Sequence, residues 1–106
     1  MSFQFGGALL DGCVLAVLSQ EDAYGYRLTQ SLQKAAQISE STLYPVLRRL
    51  QKERCLETYD RPYAGRNRRY YKITEAGCEK LAHIRKEWAL HKEIVDLLLE
   101  GVMEDG

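Results

Sequence analysis

The chain has 106 residues, of which 45% are hydrophobic and 28% are charged, and its formal net charge is zero. This length predicts a single domain. No apolar run approaches the ~20 residues needed to span a bilayer, which disfavours a membrane-spanning protein. No basic residue precedes the apolar stretch 8–18, which disfavours a signal peptide. Three scattered cysteines argue against a secreted disulfide framework, so we expect a cytoplasmic protein.

The charges are unevenly distributed along the chain. Residues 39–74 contain nine basic and four acidic side chains, whereas the rest of the chain contains six basic and eleven acidic ones. Binding to a polyanion depends on the local patch rather than on the total charge. The middle third is therefore the candidate DNA-binding face.

The N-terminal third begins with an arm, residues 1–7, and a first helix over residues 8–19. This helix is apolar nearly all round, with Asp11 as its only charge, and such a helix is covered on more than one side. We expect the second cover to be another subunit, and we assign Leu10 and Val14 to a dimer interface.

A turn and a second helix follow. Residues 20–24 are predicted to form the turn, and residues 25–37 the helix, with Leu28, Leu32 and Ala35 on one side.

The third helix is predicted from Pro45, which lacks an amide proton and fits best in a first helical turn. Its start is therefore expected near Ser41 or Thr42, both good N-terminal caps. The apolar residues of this helix cluster toward the core: Leu43, Val46, Leu47 and Leu50. The opposite side displays small, hydroxyl and basic residues: Ser41, Pro45, Arg48 and Lys52, flanked by Tyr44 and Arg49.

A basic hairpin is predicted next, with a strand over 56–60, a loop over 61–67 and a return strand over 68–73. Strand alternation puts Tyr71 and Ile73 on one face of the return strand. Its other face carries Arg68, Tyr70 and Lys72.

A helix and a hairpin that both display cations are the parts of a winged helix-turn-helix, which binds duplex DNA. The fold class predicted is therefore mainly α with a small β-hairpin. We assign residues near the start of the third helix to contacts with the DNA backbone or with base edges, and its basic residues to contacts with phosphates or guanine edges. The hairpin, or wing, is expected to enter or flank the minor groove. The predicted DNA-binding residues are Ser41, Thr42, Tyr44, Arg48, Lys52, Arg66, Asn67 and Arg68.

The fourth helix is predicted to start at Thr74–Glu75 and to run to about Glu100. Its apolar residues repeat with heptad spacing, and a second stripe widens the apolar face. We assign residues 75–101 to dimerisation, since a small body cannot cover so much apolar surface. The heptad positions are Leu81, Ile84, Trp88, His91, Val95, Leu98 and Val102, and the second stripe is Leu90, Ile94 and Leu97.

Three motifs resemble those of PadR-type transcriptional regulators of the short branch with one C-terminal helix. They are Tyr-Gly-Tyr-Arg-Leu from Tyr24, Ser-Thr-Leu-Tyr-Pro-Val-Leu-Arg-Arg-Leu from Ser41, and Arg-Tyr-Tyr-Lys-Ile-Thr-Glu-Ala-Gly from Arg69. The resemblance implies a homodimeric winged-helix repressor on a pseudo-palindromic operator, with the first and last helices forming the dimer. It also implies a small aromatic effector, because members of this branch bind flat drugs between paired tryptophans, and Trp88 lies in the corresponding part of the last helix.

Three alternatives stay open from sequence, one of which is a protein that sequesters a small molecule in a cavity beside Trp88 without meaningful DNA affinity. Trp88 at a heptad position also fits plain packing, and the basic hairpin also fits a dimeric module that binds an acidic protein instead of DNA. The sequence contains no clustered Cys or His spacing, no phosphate-binding glycine loop and no nucleophile motif. We therefore expect no metal, no cofactor and no enzymatic activity.

Overall fold

The computed structural model describes residues 7–101, and the predicted arm before residue 7 and Val102 lie outside this range. The described part is mainly helical with one small antiparallel sheet of strand order β1-β3-β2, which confirms the predicted fold class. Within it, no helix combines the length and the hydropathy needed to cross a membrane. The elements are α1 (Gly7–Gln20), β1 (Ala23–Tyr24), α2 (Gly25–Ala36), α3 (Glu40–Lys52), β2 (Leu56–Tyr63), β3 (Arg66–Ile73) and α4 (Glu75–Glu100).

The short strand β1 replaces the turn predicted between the first two helices. Ala23 pairs with Tyr71 and Tyr24 pairs with Tyr70, so the hairpin gains a third strand. Two residues are too few for strand alternation to be visible in a sequence. The pairing depends on β3, which is distant along the chain.

Helix α1 is largely covered within a single chain, although Ala8 is exposed and Leu9, Ala16 and Val17 are half-buried, so the expectation that another subunit covers its second side stays a prediction. Leu10 and Val14 are buried, and α1 contacts α2, α3 and β3 and lies directly against α4. The close approach depends on Gly12, where a Cβ atom would lie only 2.7 Å from Cγ2 of Ile84. Hydrophobicity indicated that α1 is surrounded, but not which elements surround it.

Helix α2 begins and ends close to the predicted residues. Leu28 and Leu32 are buried as predicted, whereas Ala35 is exposed and Ala36 is half-buried instead. The helix ends at Gln37, which adopts a left-handed conformation with φ 56°.

Helix α3 begins earlier than predicted. Its N-terminal cap is Ser39, whose Oγ accepts a hydrogen bond from the amide of Thr42, and Pro45 lies in the second turn rather than the first. Ile38 before the cap and Leu43 are both buried, as in a hydrophobic staple that fixes where the chain enters the helix. This packing outweighs the preference of proline for a first turn, at the cost of one intrahelical hydrogen bond.

Helix α4 starts and ends as predicted. Thr74 caps its start by accepting a hydrogen bond from the amide of Gly77 at 3.0 Å, and Gly101 ends it with φ 72°. The first turns contact α1 and β3, and the rest extends beyond the body, giving the described part an extent of 67 Å along its longest axis.

Candidate nucleic-acid interface

The recognition side of α3 is exposed, while its other side is fixed in the core. Leu43 and Leu50 are fully buried, and together with Val46 and Leu47 they orient the helix. The exposed side carries the predicted residues Ser41, Thr42, Tyr44, Arg48 and Lys52. A hydroxyl-bearing helix start followed by two cations suits contacts to phosphates and to base edges.

The hydroxyl groups at the start of α3 form a connected set. Oγ of Ser39 lies 3.1 Å from Oγ of Ser41 and 3.0 Å from Oγ1 of Thr42. These bonds hold both side chains beside the helix N-terminus. The positive end of the helix dipole lies there and favours a phosphate group.

The wing is longer and more regular than predicted. The turn consists of Ala64 and Gly65, both with positive φ, and Tyr63 pairs with Arg66 directly across it. Arg66 and Asn67 therefore belong to β3, not to a loop. The predicted loop over 61–67 is therefore too long, and β2 continues through Pro62 because it is an edge strand, where proline is tolerated.

The two faces of the wing differ in charge. Paired residues in an antiparallel sheet point to the same face, so the register sorts the hairpin residues into two sets. On the inner face Asp60 and Arg69 form an ion pair at 3.8 Å, and Asn67 lies on this face, away from Arg66 and Arg68. The outer face is defined here as Tyr24, Glu57, Tyr59, Arg61, Tyr63, Arg66, Arg68, Tyr70 and Lys72.

A buried carboxylate connects the recognition helix to α1 and α4. Asp11 forms ion pairs with Arg49 and, at 3.3 Å, with Lys80, which in turn contacts Glu53 at 2.8 Å. The hydrogen bond between Lys80 and Glu53 raises the pKa of the lysine and lowers the pKa of the glutamate. Arg49 is thus held by Asp11. Asp11, the only charge on an apolar helix, was the available signal for this cluster in the sequence.

The residues predicted for the dimer interface fall into two groups. Leu10, Val14, Leu81 and Ile84 are already buried within one chain, and their assignment to the dimer interface stays a prediction. The early heptad positions of α4 are used to pack against α1. Beyond Ile84 the apolar residues are uncovered, except that Val95 is half-buried. The exposed large apolar side chains on this part of α4, together with His91, are Trp88, Leu90, His91, Ile94, Leu97, Leu98 and Leu99.

An open groove of about 470 Å³ lies between the start of α1 and the middle of α4. Trp88 forms part of its wall, and its indole ring lies 5.9 Å from the imidazole of His91, centroid to centroid. Trp88 is 44% exposed in the single chain. The groove is lined by Ala8, Leu9, Ile84, Glu87, Trp88, Leu90, His91 and Ile94.

Comparison with known proteins decides the family. The sequence pattern described as "Transcriptional regulator PadR-like family" matches residues 14–83, which include α3 and the whole wing. The chain belongs to this family. The resemblance noted in the sequence is thereby confirmed, and the chain is a winged-helix DNA-binding transcription regulator.

Relatives of this PadR-like regulator agree over nearly the whole chain. A Lysinibacillus sphaericus protein described as uncharacterised is 40% identical over 98 residues, covering 88% of this chain and 90% of its own. A crystal structure of a Streptococcus mutans protein is 37% identical with a TM-score of 0.88, covering all of both chains. A crystal structure of a PadR-like transcriptional regulator from Bacillus cereus is 38% identical with a TM-score of 0.79, covering 86% of this chain and 91% of its own. The match to the Streptococcus mutans structure includes α4 as well as the winged helix.

Proposed function

We propose that this PadR-like regulator acts as a homodimer that represses transcription from a pseudo-palindromic operator. The main support for this proposal is that α3 exposes Ser41, Tyr44 and Arg48 on one side, while its apolar side is buried in the core. Two such helices would enter successive major grooves about 34 Å apart. Affinity would come from cations on phosphates, and sequence preference from the start of α3. A cytoplasmic location is part of this proposal, since the DNA target lies there.

The homodimer is supported by the second half of α4. Its apolar side chains, among them Ile94 and Leu98, are more than half exposed in a single chain. Contiguous apolar surface of this kind marks an interface. An isologous contact between two α4 helices would cover it and would fix the distance between the two DNA-binding heads.

The proposal is tested with a duplex taken from directly upstream of the gene and a scrambled duplex, at several salt concentrations. We expect preferential binding to the upstream duplex, with log affinity falling by about 0.9 per log unit of salt for each phosphate neutralised. Arg48→Ala should lose about 1–3 kcal/mol on the upstream duplex and less on the scrambled one, because a base contact is sequence-dependent.

Arg85→Ala is the matched control, since Arg85 is an exposed cation on α4 away from α3 and the wing. Equal losses for Arg48→Ala on both duplexes would restrict that residue to phosphate contact. No binding by the wild type at low salt would contradict the proposal and favour the protein-binding alternative.

We further propose that a planar aromatic compound binds in the groove beside Trp88 and acts as an effector. The groove has an apolar wall of Trp88, Leu90 and Ile94, which suits stacking on a flat ligand. Such a ligand would act by favouring one separation of the two heads over another.

Binding of the effector is expected to quench the fluorescence of Trp88, the only tryptophan in the chain. Titration with a chemically broad panel of planar aromatic compounds measures this, with Leu90→Glu as the variant that should weaken binding. A panel that leaves the emission of the wild type unchanged would argue against the effector and leave Trp88 as a packing residue.

A further inference from the structure

The outer face of the wing places like charges directly opposite each other. Arg61 on β2 and Arg68 on β3 are cross-strand partners, with Arg66 on the same face two residues from Arg68. Like charges at opposed positions destabilise a sheet. Within residues 7–101 none of the three forms an ion pair with a carboxylate, whereas Arg69 on the inner face pairs with Asp60.

Tyrosine rings hold one of these arginines in place. The guanidinium carbon of Arg68 lies 3.8 Å from the ring centroid of Tyr63 and 4.3 Å from that of Tyr24. Tyr63 belongs to β2 and Tyr24 to β1, on the two sides of β3. Cation–π contacts use the faces of the guanidinium and leave its in-plane N–H groups available for an anion.

The other arginine lies against the same aromatic system. The guanidinium carbon of Arg61 is 5.6 Å from the ring centroid of Tyr70. Tyr70 stacks on Tyr59 at 5.5 Å between centroids with an interplanar angle of 12°, and it meets Tyr24 edge-on. The hydroxyl of Tyr59 donates a hydrogen bond to Asp22 at 2.6 Å, which anchors the stack to the residue before β1.

We propose that Arg61 and Arg68 form a cross-strand clamp for a DNA backbone phosphate, with Tyr63 as the residue that positions Arg68. An anion between the two guanidinium groups would relieve their mutual repulsion, and the fixed Arg68 would lose less conformational freedom on binding. The proposal rests on the DNA binding assigned above, and it names the outer face of the wing as the face that meets the duplex. Arg61 is not among the DNA-binding residues predicted from the sequence.

The clamp is tested by measuring affinity for one duplex over a range of salt concentrations. Phosphate contacts are independent of sequence, so any duplex serves and the operator need not be known. We define the salt slope as the fall in log affinity per log unit of salt concentration. We expect Arg61→Ala and Arg68→Ala each to weaken binding about tenfold and to lower the salt slope by about 0.9. Arg69→Ala removes the same charge from the inner face of the same strand, and it should leave the slope unchanged.

The positioning role of Tyr63 has a different signature. Tyr63→Ala should weaken binding about threefold to tenfold with an unchanged salt slope, because Arg68 still reaches the phosphate but must be ordered on binding. Tyr63→Phe keeps the ring and should bind like the wild type. Tyr63 is 56% exposed, so both variants are expected to fold, which their thermal unfolding checks.

Two results would overturn the clamp. One is a wild-type salt slope in both Arg61→Ala and Arg68→Ala, and the other is an equal loss of slope in Arg69→Ala. If the wild type binds and Arg48→Ala weakens it while the wing variants do not, the clamp alone fails. If the wild type binds no duplex at low salt, the DNA-binding function fails as well.

Discussion

The variant Ile94→Glu is expected to be a folded monomer that binds its operator at least about a hundredfold more weakly than the wild type. Ile94 is 56% exposed in a single chain, so the substitution leaves the core intact. In a two-fold dimer the new carboxylate enters the α4 interface twice, and each buried charge without a partner costs several kcal/mol. Loss of the second DNA-binding head removes an avidity factor on the order of 10²–10⁴.

Sedimentation velocity or light scattering at micromolar protein concentration measures the oligomeric state, and an operator titration measures the affinity. Ala89→Glu is the matched control, because it adds the same charge at an exposed position on the opposite side of α4. A dimer that survives Ile94→Glu would exclude this part of α4 from the interface. A monomeric wild type would contradict the homodimer itself.

The variant Gly77→Ala is expected to lose about 3 kcal/mol of unfolding free energy, a large overpacking effect. A Cβ atom at Gly77 would lie 2.2 Å from the carbonyl oxygen of Cys55 and 2.7 Å from Cγ1 of Ile73. The first of these is a backbone atom between α3 and β2, which cannot move without shifting the start of the wing. Helix α4 would therefore be displaced at its first turn, beside the cap formed by Thr74.

Denaturant unfolding at one protein concentration measures the loss, since stability depends on concentration in an oligomer. Gly25→Ala is the control substitution, because a Cβ atom there meets only an ordinary contact, 3.7 Å from a ring carbon of Tyr71. Equal stability of Gly77→Ala and the wild type would show that α4 and the loop after α3 are not held as closely as described.

The local elements follow from the sequence because their signals are local. Proline at position 45, the cap Thr74 and the final Gly101 each restrict the backbone of their own neighbours. The predicted start of α3 is wrong because Pro45 alone does not decide it: the burial of Ile38 and Leu43 in the core fixes where the chain enters the helix. The outward row of Arg48 and Lys52 also follows from helical spacing alone, and both are exposed in the structure.

The partners of each apolar or charged face were decided only by the tertiary structure. A heptad pattern indicates that one face of α4 is covered, but the fold buries only Leu81 and Ile84, with Ile84 against α1, and leaves most of the later positions exposed. The Asp11–Arg49 pair joins residues far apart in the sequence, and so does the third strand that brings Tyr24 beside Arg68. Sequence periodicity thus determined which sides of the elements are apolar or basic, whereas contacts between distant segments depend on the packing of the whole chain.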